Sequence, residues 1–228
     1  MTQQEKRDYL GAHFPAWDFM SDAEREAIVT QAQEVFFKKG AYVHNAEENC
    51  IGTALLVSGM LRVFMLSDEG REVTLYRLRD ESMCMLSASC VLSHIHFAVH
   101  IDASEDSVVL IVPAFYFKKL CEQNVRVESE AYKLISERFS EVMWTMQQIL
   151  FMSFDRRLAL FLCKETENAR DGVLRLTHEQ IAKLMGSARE VVTRMLNYFA
   201  SEGYVELSRG GVRILEPEAL CALAEQPR

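Results

Sequence analysis

Between Thr177 and Glu190 the chain carries two helix starts with a single glycine between them. Thr177-His178-Glu179-Gln180 has the form of a capping box, and so does Ser187-Ala188-Arg189-Glu190. Gly186 falls where the first helix must end in a left-handed residue, a conformation that costs any side chain with a Cβ. Two short helices joined this tightly predict a helix-turn-helix. At 100° per residue from Arg189, the residues Thr193, Asn197, Glu190 and Arg194 fall within about 140°. Val191, Val192, Met195, Leu196 and Phe199 fill the opposite arc. One side is therefore a core seam. The other gathers guanidinium, carboxylate, hydroxyl and amide groups, which can read base edges in a major groove.

The flanking sequence extends this reading. Tyr204-Val205-Glu206-Leu207 and Val212-Arg213-Ile214-Leu215 alternate around Ser208-Arg209-Gly210-Gly211. That pattern predicts a hairpin, so the motif becomes a winged helix-turn-helix with Arg209 at the wing tip. Upstream, Val127 to Met152 contains no Gly or Pro. Its apolar residues Tyr132, Ile135, Phe139, Val142, Met146 and Ile149 recur at alternating spacings of three and four. This is a heptad stripe of about 27 Å, either packed on its own domain or forming a dimer seam.

Earlier still, the pattern is that of strands. Ala54 to Val57, Leu61 to Leu66 and Val73 to Tyr76 are apolar runs separated by Ser58-Gly59 and by Ser67-Asp68-Glu69-Gly70. Many short strands from Ala41 to about Pro113 predict an antiparallel barrel or roll. Before them, Ser21-Asp22-Ala23-Glu24 opens a helix that Gly40 brings to an end. The fold class expected is α+β, with an N-terminal antiparallel β-roll of jelly-roll type, a long helix, and a C-terminal winged helix-turn-helix. The division expected is 1–126, 127–152 and 153–228.

Taken together, these segments resemble the cAMP receptor protein/FNR (Crp/Fnr) family of bacterial transcription regulators. The resemblance rests on the roll with its Ser58-Gly59 corner and its Asp68-Glu69-Gly70 turn. It also rests on the helix at 127–152 and on T-H-E-Q-I-A-K-L-M-G-S-A-R-E-V-V-T-R-M-L. It implies a cyclic-nucleotide-binding-like sensor domain, a dimerisation helix, a homodimer on a palindromic double-stranded DNA operator, and RNA polymerase as a partner. It also implies base contacts from Arg189, Glu190 and Arg194, assisted by Thr193. The full DNA-binding set expected is Thr177, His178, Ser187, Arg189, Glu190, Thr193, Arg194, Asn197 and Arg209. Two positions depart from the family pattern: Ala188 replaces a phosphate-contacting serine, and His178 replaces an arginine. Backbone anchoring is therefore expected to differ and to weaken at high pH. Glu190 has two competing roles, capping partner and base reader, and the resemblance favours base reading.

The sensor half departs further. No Lys or Arg occurs from Asp80 to Phe117, whereas a buried phosphodiester needs a cation or several placed donors. Cyclic nucleotide in the usual pocket is not expected. An FNR-type iron–sulfur cluster needs four thiolates near the N-terminus, and the first cysteine here is Cys50. The candidate effector residues are Met83, Cys84, Met85, Cys90, His94, His96 and His100. Their first reading is an ordinary core with strand or loop histidines; the functional readings left open are haem, a soft metal, a thiol-based oxidant signal or a neutral organic effector. A haem- or metal-binding sensor with a vestigial helix-turn-helix is the alternative function.

The chain has 228 residues, 25 Lys+Arg and 33 Asp+Glu, hence a formal charge of −8. Residues 154–228 hold 11 of each sign, so the acidic excess lies entirely in the first 153 residues. That excludes a promiscuous polyanion binder, not a selective one. No nucleophile–base pair or Gly-rich phosphate loop is present, and no enzyme is expected. The opening residues lack an apolar signal core. Ser82 to Ile101 is uncharged but contains four Ser and three His, which argues against a membrane span. A cytoplasmic protein with reduced thiols is the expectation.

Overall fold

The computed structural model describes residues 1–45, 52–79, 83–84, 99–167 and 172–225. It divides into two compact units. One comprises Met1–Met65 with Leu75–Val142, the other Leu66–Thr74 with Met143–Arg228.

The first unit opens with α1 (Gln3–His13), a short 3-10 turn (Trp17–Phe19) and α2 (Asp22–Gln31). Ser21 caps α2 through the anticipated reciprocal box with Glu24. Thr2 and Glu5 build the same box on α1, a helix that the sequence reading did not single out. The strands follow as β1 (Gln33–Phe37), β2 (Tyr42–His44), β3 (Thr53–Ser58), β4 (Leu61–Leu66), β5 (Glu72–Leu78), β6 (Met83–Cys84), β7 (His100–Ala103) and β8 (Ser107–Val112). They form two four-stranded sheets, ordered β1-β8-β3-β6 and β2-β7-β4-β5. The pairings seen in both are antiparallel.

Alternation along the strands produces two cores. Ala54, Leu56 and Val109 meet Val43, Leu61, Val63 and Ile101 between the sheets. The opposite face of the first sheet, with Leu55, Leu110 and Val112, buries Leu10, Ile28, Phe117 and Val127 from the surrounding helices. Those last two come from α3 (Ala114–Gln123) and from α4 (Val125–Phe151). Gly59 lies at φ 96°, and a Cβ there would stand 2.5 Å from the Asp106 carbonyl, so the corner after β3 requires glycine.

The second sheet has a polar insertion in its other face. Arg62 and Asp102 sit directly opposite one another in register, and the guanidinium grips both carboxylate oxygens, with Nε at 3.1 and 3.2 Å. The same guanidinium lies 4.2 Å from the centre of the Phe64 ring. His100 stacks on that ring, with centroids 5.3 Å apart.

The second unit contains the last part of α4, then α5 (Phe154–Glu167), β9 (Val173–Leu174), α6 (His178–Met185), α7 (Arg189–Ser201), β10 (Val205–Ser208), β11 (Gly211–Ile214) and α8 (Pro217–Glu225). The anticipated hairpin is β10–β11, and β9 adds a third strand beside β11. Leu158, Leu162, Ile181, Val192, Leu196, Phe199, Val212 and Leu220 form one core. α8 is a further element beyond the sequence reading. Cys163 of α5 and Cys221 of α8 form a disulfide, which departs from the expectation of reduced thiols. The packing of α5 along α8 brings the two cysteines together, and neither local pattern announces it. Among the described residues no helix is long and apolar enough to cross a membrane.

The α4 stripe divides in the folded chain. Ile135 and Val142 pack partly against the cores of the first unit. Tyr132, Phe139, Met146 and Ile149 are exposed, as are Met143 and Leu150. The exposed apolar stripe therefore keeps Tyr132, Phe139, Met146 and Ile149, adds Met143 and Leu150, and loses Ile135 and Val142 of the six expected positions to the cores.

Replacing Asp102 by Ala is expected to leave a buried guanidinium without its carboxylate. The expected loss is about 3 kcal/mol of stability, read from urea unfolding. A variant as stable as the parent would show that the pair has no such role.

Candidate nucleic-acid interface

Thr177 caps α6 as expected: its hydroxyl accepts from the Gln180 amide while the Gln180 side chain accepts from the Thr177 amide. At the other end Gly186 adopts φ 58°, ψ 44°. The Ser187 amide donates to the Ala182 carbonyl at 3.0 Å and the Gly186 amide to Lys183 at 3.4 Å, the paired closure of a Schellman motif.

That closure corrects the second capping box. Ser187 is spent in ending α6, so α7 begins one residue later, with Ala188 at the N-cap and no side chain capping it. Glu190 becomes the second helical residue, out of reach of the reciprocal box. Its conflict of roles disappears, and its carboxylate sits in the first turn, where the helix dipole favours an anion. The first amides of α7 have neither an intrahelical acceptor nor a side-chain cap, which makes them donors for an incoming oxygen.

The azimuth of α7 matches the helical-wheel reading. Val192, Leu196 and Phe199 are fully buried, and Val191 and Met195 are half-buried. Arg189, Glu190, Thr193, Arg194 and Asn197 line one open depression on the opposite side. A second hollow is formed by Thr177, His178 and Glu179 at the start of α6, Arg189 at the start of α7, and Ser208, Gly210 and Gly211 of the wing. Arg189 borders both. The wing residues were not singled out as lining residues in the sequence, because their approach to α6 depends on β9 pairing with β11.

His178 and Thr193 are linked: Nδ1 lies 3.0 Å from the Thr193 hydroxyl. Burial, and secondarily the charge of Arg189, hold the imidazole below its ordinary range. His178 is thus neutral near pH 7 and does not replace the positive charge of an arginine there. Arg209 is exposed at the β10–β11 turn.

The segment Leu66–Thr74 groups with this unit. Arg71 donates to the Gly186 carbonyl through Nε at 3.1 Å. The Thr74 hydroxyl donates to the Lys183 carbonyl at 3.2 Å. Lys183 pairs with Glu72 at 3.0 Å. These groups satisfy backbone acceptors at the C-terminal end of α6, and Lys183 is held by a carboxylate.

The candidate effector set is not assembled among the described residues. Met83 is buried beside Leu55 and Leu110, Cys84 pairs through its backbone with Ala54, and His100 stacks on Phe64 in the other sheet. Met85, Cys90, His94 and His96 lie outside the described residues. No group of three metal-ligating side chains occurs among the described residues.

Comparisons with known proteins agree with this geometry. A family model for the Crp-like helix-turn-helix domain matches residues 156–223. One for the cyclic nucleotide-binding domain matches residues 34–124. A crystal structure assigned to the Crp/Fnr transcriptional regulators, from Eubacterium rectale, is 43% identical. It covers 94% of this chain and 100% of its own, with a TM-score of 0.90. The transcriptional activator protein Anr of Pseudomonas protegens is 28% identical over 198 residues, 82% of this chain and 78% of that protein. FixK2 from Bradyrhizobium japonicum shares the fold at 18% identity and a TM-score of 0.70, over 86% of this chain and 99% of its own. With a four-stranded pair of sheets, a long helix and a winged helix-turn-helix in this order, the chain belongs to the Crp/Fnr family of transcription regulators.

Proposed function

We propose that the chain is a sequence-specific DNA-binding regulator that acts as a cytoplasmic homodimer on a pseudo-palindromic operator. The observation that carries this reading is the open depression made by Arg189, Glu190, Thr193, Arg194 and Asn197 on the side of α7 opposite the buried Val192, Leu196 and Phe199. In this reading those five side chains enter the major groove. The hollow at Thr177, His178, Ser208 and Gly210 receives a backbone phosphate on the helix amides, with Ser187 and Arg209 flanking it. The helix at 127–152 joins two copies, because Tyr132, Phe139 and Met146 keep an apolar stripe uncovered within one chain. Residues 1–126 form the sensor and 153–228 the reading head. Two reading heads related by a two-fold axis would meet half-sites about 34 Å apart. RNA polymerase is the further partner.

The signal received by the roll is a small molecule other than a cyclic nucleotide, or a redox change. Support comes from charge. Among the described residues the core between the sheets is built of apolar side chains such as Leu56, Leu61, Val63, Ile101 and Val109, with the buried Ser107 hydroxyl bonded to Met60 and Glu105, and Arg62, on the other face, is committed to Asp102. With no Lys or Arg from Asp80 to Phe117, a phosphodiester has no cationic partner along that segment. Binding of a signal that favours one arrangement of two would shift the population of DNA-competent dimers.

Three measurements test this reading. Arg194→Ala is expected to lose about 1–3 kcal/mol of discrimination between an in vitro selected operator and a scrambled duplex, measured by fluorescence anisotropy. Equal affinity of the parent for both duplexes would overturn sequence-specific binding. Phe139→Glu, which places a charge in the seam, is expected to convert a dimer to a monomer in sedimentation velocity. An unchanged mass would exclude this seam. Because His178 is held neutral, His178→Gln is expected to bind operator like the parent at pH 7.5. Its depressed pKa means that protonation comes only below the ordinary imidazole range and then adds a positive charge near phosphate, so the parent alone should gain affinity as the pH falls through that region. Titrations of parent and variant that stay parallel until the parent's imidazole is protonated, followed by the NMR shift of His178, would contradict a phosphate-facing imidazole.

A further inference from the structure

The disulfide of the second unit lies outside the DNA-facing surface, and the function proposed above makes no use of it. Cys163 on α5 and Cys221 on α8 are 58 positions apart in sequence, with Cα atoms 5.9 Å apart. This is within the roughly 4.4–6.8 Å that a disulfide spans without backbone movement. The two helices are held together independently of sulfur. Leu158 and Leu162 share a core with Leu220 and Ala224, and the Arg156 guanidinium donates to the Ala224 carbonyl at 3.1 Å. Noncovalent packing therefore presents the two thiols to each other, so the pair can open and close without rebuilding the fold. The bond closes a loop that contains α6, α7 and the wing.

We propose that Cys163 and Cys221 form a reversible thiol–disulfide site, a redox input in the DNA-reading unit itself and separate from any signal received by the roll. In a reducing compartment a disulfide that forms at all is typically a transient, sensing one. The oxidant class is a small-molecule disulfide such as oxidised glutathione. Cys163 is buried and Cys221 half-buried, so Cys221 meets the oxidant first. Its thiolate attacks one glutathione sulfur, forming a mixed disulfide and releasing one glutathione thiolate. The Cys163 thiolate then attacks the Cys221 sulfur and displaces the second glutathione. Two protein thiols lose two protons and two electrons, and oxidised glutathione gains both to become two thiols. The oxidised loop restricts the unfolded chain and thereby stabilises the elements it encloses.

Cys121 provides an internal reference. It is buried on α3, and burial, with the charges of Glu128 and Glu122, pushes its thiol up to about 12. It should stay unmodified until the protein is denatured.

The test equilibrates the full chain in glutathione buffers from fully reduced to fully oxidised, with alkylation, tryptic mass spectrometry and thermal melting at each ratio. The expected product is a linked pair of peptides, 158–164 with 214–228, whose abundance rises and falls with the oxidised fraction. The melting temperature of the winged unit should rise by at least about 5 °C on oxidation. Cys221→Ser should lose that dependence, and Cys121→Ser should keep it. The proposal is overturned if the linked peptides are absent at every ratio or persist undiminished in reduced glutathione. It is overturned equally by a stable glutathione adduct in place of the internal bond, by an unmoved melting temperature, or by a Cys221→Ser variant that keeps the shift. Should Cys221→Ser fail to fold, the parent's peptide map and melting curve decide alone. Operator binding by reduced protein is a separate readout, so failure of the redox site leaves the DNA-binding reading intact.

Discussion

Burial of Val192, Leu196 and Phe199 is the constraint on which the DNA-facing surface depends. An α-helix has one free azimuth about its own axis, and a core of this depth removes it. Each side chain contributes roughly 1.5–3 kcal/mol of apolar burial, so a rotation that exposed them would be prohibitive for a domain of ordinary stability. Once those three face inward, Arg189, Glu190, Arg194 and Asn197 have to face outward. The chemistry offered to a nucleic acid is thus set by residues that never touch it. Leu158, Leu162, Leu220 and Ala224 complete the same core from below, which ties the position of the reading helix to α5 and α8.

The turn before that helix shows how one backbone requirement overrides a local side-chain preference. Ser187 is a good N-cap residue, yet its amide is engaged with Ala182 to close α6. The start of α7 moves to Ala188, and its leading amides are left uncapped. For an isolated helix this is a defect of about 1 kcal/mol. For the DNA contact proposed above, it leaves donors ready and the Glu190 carboxylate in the first turn outside any capping box.

Charge is distributed on the same logic. The acidic excess of the chain resides in its first 153 residues, while the reading unit is neutral overall and locally basic along α7 and the wing. Counterion release from so few cations is modest, so selectivity has to come from the geometry of specific contacts more than from bulk attraction. In the roll, the guanidinium of Arg62 is sequestered by Asp102 and the Phe64 ring. A charge that composition alone would credit to the surface is in fact a fixed structural strut.

Periodicity and end signals alone determined much of this protein. The strand spacing gave the roll, Gly59 and Gly186 marked two obligatory turns, and the 100° pattern of α7 separated its buried face from its polar one. These are local rules, in which a residue's environment follows from neighbours a few positions away. Tertiary structure decided what depends on partners distant in sequence. The start of α7 at Ala188 follows from how α6 is closed. The hollow between α6 and the wing requires β9, a two-residue strand too short to carry a pattern. Ile135 and Val142 share the heptad of Phe139, but the cores beside them cover these two and leave Phe139 exposed. Burial, with Arg189 nearby, lowers the pKa of His178, and Cys163 finds Cys221 across 58 positions because α5 and α8 pack together. Local sequence specifies conformation and the sides of each element. Burial, pKa and covalent pairing are decided only when those sides meet.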